Sequence, residues 1–154
     1  MSTAARLLKE YEGMLKEPMT GIEFEETKTF QPQRDGFVEE WMLVVEGAKG
    51  SLYAGETYRL RFRFSSNYPF EAPEVEFMSP SPCHPHIYTN GHICLSILYD
   101  EWSPALTATH VCLSIVSMMS SCTEKIRPEG NDRYVSRAPN SSKKSRWIFH
   151  DHNC

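Results

Sequence analysis

Residues 51–77 read SLYAGETYRLRFRFSSNYPFEAPEVEF and predict two consecutive strands of an antiparallel sheet. Within TYRLRFRF, apolar and polar side chains alternate, which is the pattern of a strand with one buried face. The apolar set consists of Tyr58, Leu60, Phe62 and Phe64. After the proline-containing bend YPFEAP, the residues EVEF read as a further short strand. The simplest arrangement of these strands is a meander.

The residues before this stretch add one more strand and a helix. In EEWMLVVEG, residues 39–47, every second side chain is apolar, and the glycine-rich connector GAKGSLYAGE suits a hairpin turn. Residues 3–16 instead carry apolar side chains at helical spacing, and Pro18 and Gly21 end that pattern. The sequence therefore predicts an N-terminal helix followed by antiparallel strands.

A central helix is predicted after residue 100. Ser103 can cap its N-terminus, with Pro104 at the first helical position. One apolar stripe repeats at helical spacing and consists of Ala108, Val111, Ile115, Met118 and Cys122. Leu113 lies roughly opposite this stripe, so we expect it to be exposed. The polar C-terminal part of the chain is expected to end in a weak helix that begins at Ser141 or Ser142.

Composition narrows the class of protein. The 154 residues have the size of one domain, and a net charge of -4 argues against a general nucleic-acid binder, which needs a basic face. Five cysteines without a regular framework fit a reducing compartment. No apolar stretch is long enough to span a membrane. We therefore expect a cytoplasmic protein, with the nucleus as a second location, and neither a membrane nor a nucleic-acid partner.

The segment HPHIYTNGHICLSIL, residues 84–98, carries the candidate chemistry. It contains three histidines, an Asn-Gly turn and Cys94, and the prolines before it predict an irregular loop at the surface. A cysteine reacts as its thiolate, which neighbouring polar groups stabilise. The nearby His86 and His92 therefore make Cys94 a candidate nucleophile.

Other roles for Cys94 remain open at this point. A small buried thiol is one of them, and it is the role we expect for Cys112 and Cys122 on the central helix. A zinc ligand is another, but the paired C-x-x-C and H-x-x-x-H spacings are missing, so no metal is expected. A Cys-His protease would need a distant histidine and an orienting Asn or Asp, which the sequence does not reveal.

Three segments taken together resemble the ubiquitin-conjugating enzyme family over residues 4–122. They are residues 51–77, residues 84–98 and EWSPALTATHVCLSIVSMM at 101–119. The resemblance implies an α+β fold with an N-terminal helix, a four-stranded antiparallel meander, an active-site loop and a central helix. It also implies that Cys94 carries ubiquitin as a thioester without a cofactor. The implied partners are ubiquitin, a ubiquitin-activating enzyme, and ligases of the RING or U-box type.

Three departures separate the chain from the usual family pattern. His86 stands where the family has the Asn of His-Pro-Asn, and Ser96 stands where it has Asp two residues after the cysteine. The segment SSCTEKIRPEGNDR replaces the family's Pro-Asn-Pro-Asp-Asp. Residues 1–122 are thus interpreted as the core, and 123–154 as a divergent C-terminal segment of the same single domain. These departures resemble the W-type branch of the family, which modifies the α-amino group of protein N-termini.

The chemistry of amines agrees with substrate proteins that offer an accessible N-terminus. Near neutral pH the unprotonated fraction of an α-amine exceeds that of a lysine by roughly 300-fold. An acidic side chain beside the thioester helps lysine, and with Ser96 in that place we expect this help to be missing. His86 then acts as an oxyanion donor, acts as a base, or only braces the loop. A lysine-directed enzyme and a catalytically idle ubiquitin-binding scaffold remain the alternatives.

The resemblance also implies partner surfaces. The positions that match the patch for ligases and the activating enzyme are Arg6, Lys9, Phe64, Pro104 and Ala105. Phe64 is the expected anchor, because its strand should end there and the following bend can turn the ring outward. Leu113 and Ser117 match positions that contact the thioester-linked ubiquitin. Asn90 and Ser96 are expected to surround the active site.

Overall fold

The computed structural model describes residues 1–145, which contain a four-stranded antiparallel sheet and α-helices on either side of it in the chain. The strands pair in chain order, so the predicted meander and the α+β fold class are confirmed. The elements are α1 Thr3–Lys16, β1 Ile22–Thr29, α2 Pro32–Asp35, β2 Glu39–Glu46, β3 Thr57–Phe64, β4 Glu74–Phe77, α3 Ala108–Ser120 and α4 Asn131–Arg137. Single 3-10 turns occupy Ser96–Leu98 and Ser142–Lys144. Within the described residues no helix has both the length and the apolar character needed to cross a membrane.

The core forms where the inward face of the sheet meets α3. On that face Trp41 pairs with Phe62 and Leu43 pairs with Leu60 across β2 and β3, and all four side chains are buried. The predicted stripe of α3 belongs to the buried set, which includes Ala108, Val111, Ile115, Met118 and Cys122. The strand period and the helical period are therefore both confirmed, because each places its apolar side chains in one cluster.

β1 is the strand that the residue pattern does not predict. It pairs with β2, but Ile22 is its one fully buried residue. The register also shifts between Phe24 and Glu26, which interrupts the two-residue period. An edge strand of this kind shows no alternation that would identify it in the sequence.

The central helix begins at Ala108, so the predicted start at Pro104 is wrong. Thr107 and His110 form a reciprocal cap: the Thr107 hydroxyl accepts from the N–H of His110, and the ring of His110 accepts from the N–H of Thr107. Glu10 of α1 accepts the N–H of Ala108 at 2.8 Å. These bonds satisfy the first amides of the helix, which Ser103 was expected to do.

The C-terminal segment is attached to β4. The N–H of Ser142 donates to Glu76 at 3.0 Å, and the hydroxyl of Ser141 donates to Glu74 at 2.6 Å. α4 lies before these contacts and was not predicted. The predicted last helix is a single 3-10 turn within residues 1–145, and its remainder lies outside the described residues.

Candidate active site

The proline-rich loop before Cys94 is held by hydrogen bonds from distant side chains. The guanidinium of Arg127 donates to three loop carbonyls, those of Ser81 at 3.0 Å, Pro82 at 2.8 Å and Ile87 at 3.2 Å. The hydroxyl of Tyr53 donates to the carbonyl of Cys83 at 2.5 Å. Because a loop rich in proline cannot form a regular ladder, these bonds satisfy its carbonyls instead. Sequence reasoning missed Arg127, since nothing in the local pattern shows what its side chain reaches.

Two histidines connect this loop to α3 and to Cys94. Nδ1 of His84 accepts the N–H of His86 at 2.9 Å, so its Nε2 carries the proton that is donated to the carbonyl of Met118 at 3.1 Å. Burial lowers the pKa of His84, which favours this neutral form. The carbonyl of His86 in turn accepts the N–H of Cys94 at 2.8 Å. Both histidines are buried, and their hydrogen bonds connect the backbone of Cys94 to the central helix.

Cys94 is 3% exposed, so the prediction that it lies on an open surface loop is wrong. Its neighbours Ile93 and Leu95 belong to the core, and β-bridges join Ile93 to Ile87 and His92 to Glu76. The segment therefore lies along the edge of β4, where apolar neighbours cover it. This packing holds Cys94 in a defined position.

Three tyrosines lie within electrostatic reach of Cys94. Burial is the main cause that raises the pKa of Tyr88, and the electrostatic interaction with Cys94 acts in the same direction. Burial also raises the pKa of Tyr99, whose hydroxyl donates to the carbonyl of Ile93 at 3.2 Å. For Tyr134 of α4, burial and the charges nearby raise the pKa to about 12. Its ring packs on Tyr88 with 3.9 Å between centroids, so the C-terminal segment forms one side of the site.

His92 links the same C-terminal segment to the sheet. Its Nε2 lies 3.2 Å from Glu76, and its Nδ1 lies 2.7 Å from the hydroxyl of Tyr134. Burial opposes ionisation of Glu76, but the hydrogen bonds from His92 and Ser142, with the charge of Arg61, hold the pKa of that carboxyl below its ordinary value. His92 is thus part of a structural network beside Cys94.

Asn90 shapes the turn that precedes Cys94. Its side-chain oxygen accepts the N–H of His92 at 3.1 Å, which is an Asx turn. Gly91 follows with a φ of +90°, and a Cβ at this position would lie 1.9 Å from the carbonyl oxygen of Phe77. The predicted Asn-Gly turn is therefore confirmed, whereas a chemical role for Asn90 remains a prediction.

Ser96 brings an acidic residue to the site. Its hydroxyl donates to Glu101 at 2.8 Å, and the N–H of Glu101 donates back to the Ser96 carbonyl at 3.1 Å. The expectation that no carboxylate lies near the residue two positions after Cys94 is therefore wrong. The acid comes from five positions further along the chain, after a 3-10 turn, where sequence spacing does not reveal it.

A groove of about 790 Å³ runs between this turn and α3. Leu113 and Ser117 line it together with Ser96 and Glu101. Leu113 is 52% exposed, which confirms the prediction that it lies opposite the buried stripe. Its contact with ubiquitin remains a prediction.

Four of the five predicted ligase-patch residues lie around a second hollow of about 410 Å³ between α1 and the turn before α3. They are Arg6, Lys9, Pro104 and Ala105. Arg6 is committed to internal bonds: it donates to Glu10 at 2.7 Å and to the carbonyl of Pro104 at 3.2 Å. Lys9 is exposed, so its charge is more accessible to a partner than the charge of Arg6.

Phe64 is the predicted patch residue that the structure excludes. It is 0% exposed, because it continues the inward face of β3 and its ring contacts Trp41 and Tyr68. Phe70, in the bend that follows, is 81% exposed. Trp102 donates to the carbonyl of Pro69 at 2.8 Å and so connects this bend to the turn before α3. The sequence signal for Phe70 was its place in a bend between two prolines, where the strand period no longer applies.

The other described cysteines differ from Cys94 in their surroundings. Cys112 is buried in α3, and burial alone raises the pKa of its thiol to about 12. The thiol of Cys122 lies between the hydroxyl of Tyr53 and the carbonyl of Glu124, at 3.5 Å and 3.3 Å. Among residues 1–145, no group of His, Cys, Asp and Glu side chains has an arrangement that could hold a metal ion. Cys154 lies outside the described residues.

Comparison with known proteins identifies the family. The family described as ubiquitin-conjugating enzyme matches residues 6–148. A Dictyostelium discoideum protein named probable ubiquitin-conjugating enzyme E2 W is 60% identical over 115 residues, which cover 74% of this chain and 77% of that protein. The Caenorhabditis elegans ubiquitin-conjugating enzyme E2 W is 47% identical over 154 residues and covers 98% of both chains.

A solved structure gives the same result for the fold. The crystal structure of the ubiquitin conjugating enzyme E2 UbcA1 from Agrocybe aegerita is 41% identical, with a TM-score of 0.82, and covers 93% of this chain and 100% of that one. This likeness agrees with the helix, meander and central helix described above. The chain therefore belongs to the ubiquitin-conjugating enzyme family, whose members are transferases that act through a cysteine thioester.

Proposed function

We propose that Cys94 is the residue that accepts ubiquitin as a thioester and transfers it to the amino group of a substrate protein. The observation that carries this proposal is the fixed backbone of Cys94, whose N–H is bound by the carbonyl of His86. His86 is itself oriented by His84, so the nucleophile is held at the end of an ordered chain of hydrogen bonds. Family members work with ubiquitin, an activating enzyme and ligases.

The acceptor that we propose is the N-terminal α-amine. Its support is chemical, because at neutral pH the reactive, unprotonated fraction of an α-amine is roughly 300-fold larger than that of lysine. Ser96 replaces the Asp that this family usually places beside the thioester. Glu101 is bound to Ser96, and one of its carboxylate oxygens accepts the hydrogen bond of the serine hydroxyl. A single carboxylate accepts hydrogen bonds from either kind of amine, so we expect the free-base fraction to decide which amine reacts.

We assign the proposed partner surfaces to side chains that are exposed. We place ligase contacts of the RING or U-box type at Phe70, Lys9, Pro104 and Ala105, because these side chains are exposed. The carried ubiquitin is placed on α3 at Leu113 and Ser117, which are exposed on the face opposite the core.

One gel assay tests the enzyme proposal. The protein is incubated with activating enzyme, ATP and ubiquitin, and we expect an adduct that reductant removes. Cys94→Ala should lose the adduct entirely, whereas Cys83→Ser, which alters a half-buried thiol of the same loop, should retain it. The absence of any adduct in the wild type would favour a catalytically idle scaffold. An adduct that survives in Cys94→Ala would assign the thioester to another cysteine.

A further inference from the structure

The inference concerns Glu101, whose side chain and backbone are both tied to Ser96. The hydroxyl of Ser96 donates to Oε2 of Glu101 at 2.8 Å, and the N–H of Glu101 donates to the carbonyl of Ser96 at 3.1 Å. Ser96 is 8% exposed and therefore offers a fixed point of attachment. Two bonds to a buried residue keep the carboxylate of an exposed side chain in one place.

The attachment point is close to Cys94. Ser96 follows Cys94 by two residues, so their Cα atoms are at most about 7 Å apart. Leu95 lies between them and lines the same groove as Ser96 and Glu101. The carboxylate is therefore bound to a residue two positions from Cys94 and lines the same groove as Leu95.

The charge of the groove is concentrated in this one side chain. The other described residues that line it are apolar or carry hydroxyl groups: Leu95, Ser96, Ile97, Leu106, Leu113, Ser114, Ser117, Met118 and Ser121. Within residues 1–145, the carboxylate of Glu101 makes no ion pair with a lysine or arginine. Its Oε2 accepts a hydrogen bond from the hydroxyl of Ser96. The side chain of Glu101 is exposed, and a carboxylate has acceptor capacity for more than the one hydrogen bond from Ser96.

We propose that Glu101 binds the incoming amino group, with Oε1 accepting its N–H while Ser96 holds Oε2. This inference rests on the proposed transfer of ubiquitin to amines. The unprotonated nitrogen then attacks the carbonyl carbon of the thioester, the C–N bond forms, and the C–S bond breaks. The electron pair of that bond leaves with the sulfur of Cys94, and the proton lost by the nitrogen passes to water. Glu101 positions either type of amine, and the larger free-base fraction gives the α-amine its advantage.

The test measures how discharge of the purified thioester depends on amine concentration. The amine is a short lysine-free peptide with a free N-terminus, and the proteins are wild type, Glu101→Gln and Asp100→Asn. Asp100 is the matched control, because it is exposed, carries the same charge one residue away and does not line the groove. For Glu101→Gln we expect the concentration at half-maximal rate to rise by about tenfold, the effect of losing one charge-assisted hydrogen bond. The maximal rate should change much less, and Asp100→Asn should match wild type.

Ser96→Ala adds a second variant that keeps the carboxylate and removes its anchor. We expect it to raise the half-maximal concentration in the same direction by a smaller factor, while thermal melting checks that every variant is folded. Equal concentration dependence for Glu101→Gln and Asp100→Asn would overturn the inference. So would a defect of Glu101→Gln confined to formation of the thioester, because Glu101 would then contact the carried ubiquitin.

Failure of the proposed acceptor can be separated from failure of this inference. A wild-type thioester that discharges faster onto Nα-acetyl-lysine than onto the peptide contradicts the α-amine proposal alone. The same titration with Nα-acetyl-lysine then tests Glu101, since the carboxylate would bind that amine in the same way. A half-maximal concentration that is again unchanged in Glu101→Gln overturns the inference for both acceptors.

Discussion

The ring of Phe64 packs edge-on against Trp41, with 4.7 Å between the ring centroids and 63° between the planes. This contact joins the last residue of β3 to the third residue of β2, and both side chains are fully buried. It shows that the inward face of β3 continues to the last residue of the strand. The aromatic side chain available to a partner is therefore Phe70, in the bend that follows.

Phe64→Ala should reduce stability strongly. Truncation of a buried phenylalanine leaves a cavity and costs about 3 to 5 kcal/mol of the free energy of unfolding. Urea unfolding measures this loss directly. A change of less than about 1 kcal/mol would contradict the core position of Phe64.

Phe70→Ala should leave stability unchanged and weaken ligase-dependent transfer. Substitution of an exposed side chain changes the free energy of unfolding by about 0.5 kcal/mol or less, whereas loss of an aromatic contact at the centre of an interface costs about tenfold in affinity. The measurement compares thioester discharge with and without a ligase. Leu52→Ala, another exposed apolar residue, is the control and should keep full stimulation. Normal stimulation in Phe70→Ala would remove this residue from the proposed patch.

His84 should make the fold sensitive to mild acid. Burial lowers the pKa of His84 in the folded state below its ordinary value of 6.5, so the unfolded chain binds a proton that the folded protein does not. The free energy of unfolding should therefore fall as the pH drops below 6.5, by at most about 1.4 kcal/mol per pH unit from this residue. Urea unfolding between about pH 7.5 and 5.5 measures the slope.

His84→Asn provides the comparison for that slope. An asparagine amide can accept from the N–H of His86 and donate to the carbonyl of Met118, but it does not titrate in this range. The variant should lose stability less steeply with acid than wild type does. Parallel slopes would show that another group causes the acid sensitivity.

His86→Asn should separate the roles that remain open for this residue. If the His86 ring donates to the oxyanion, asparagine can replace it, and discharge should fall by a few-fold at most. If the ring acts as a base, asparagine cannot take the proton, and discharge should fall by about 100-fold or more. A loss of thermal stability with intact discharge of the folded fraction would instead assign His86 to bracing the loop.

The fold was predictable wherever one side of an element is buried. The strand period from Tyr58 to Phe64 and the helical stripe from Ala108 to Cys122 both report burial directly, and both were confirmed. β1 was missed because it is an exposed edge strand with a register shift. The start of α3 was misplaced because its cap pairs Thr107 with His110, where a capping box usually has Glu or Gln, and adds Glu10, which is distant in the sequence.

The local geometry around Cys94 was predictable only in part. The Asn-Gly turn and the exposed Leu113 follow from local pattern, and the structure has both. Glu101 and Arg127 were not found, because a long side chain reaches its partner through space and leaves no local signal. The predicted outward orientation of Phe64 was wrong, because the chain leaves the inward face of the sheet only after that residue.

Competition between the two kinds of amine tests the proposed acceptor most directly. Purified wild-type thioester is mixed with equal concentrations of Nα-acetyl-lysine and a lysine-free peptide whose N-terminus is free, and the loss of thioester to each is measured. We predict that the peptide reacts at least about tenfold faster and that its rate rises from about pH 7 to 8, where the α-amine loses its proton. The N-terminally acetylated peptide should not react. Discharge onto Nα-acetyl-lysine at an equal or higher rate would contradict the account and make this chain a lysine-directed enzyme.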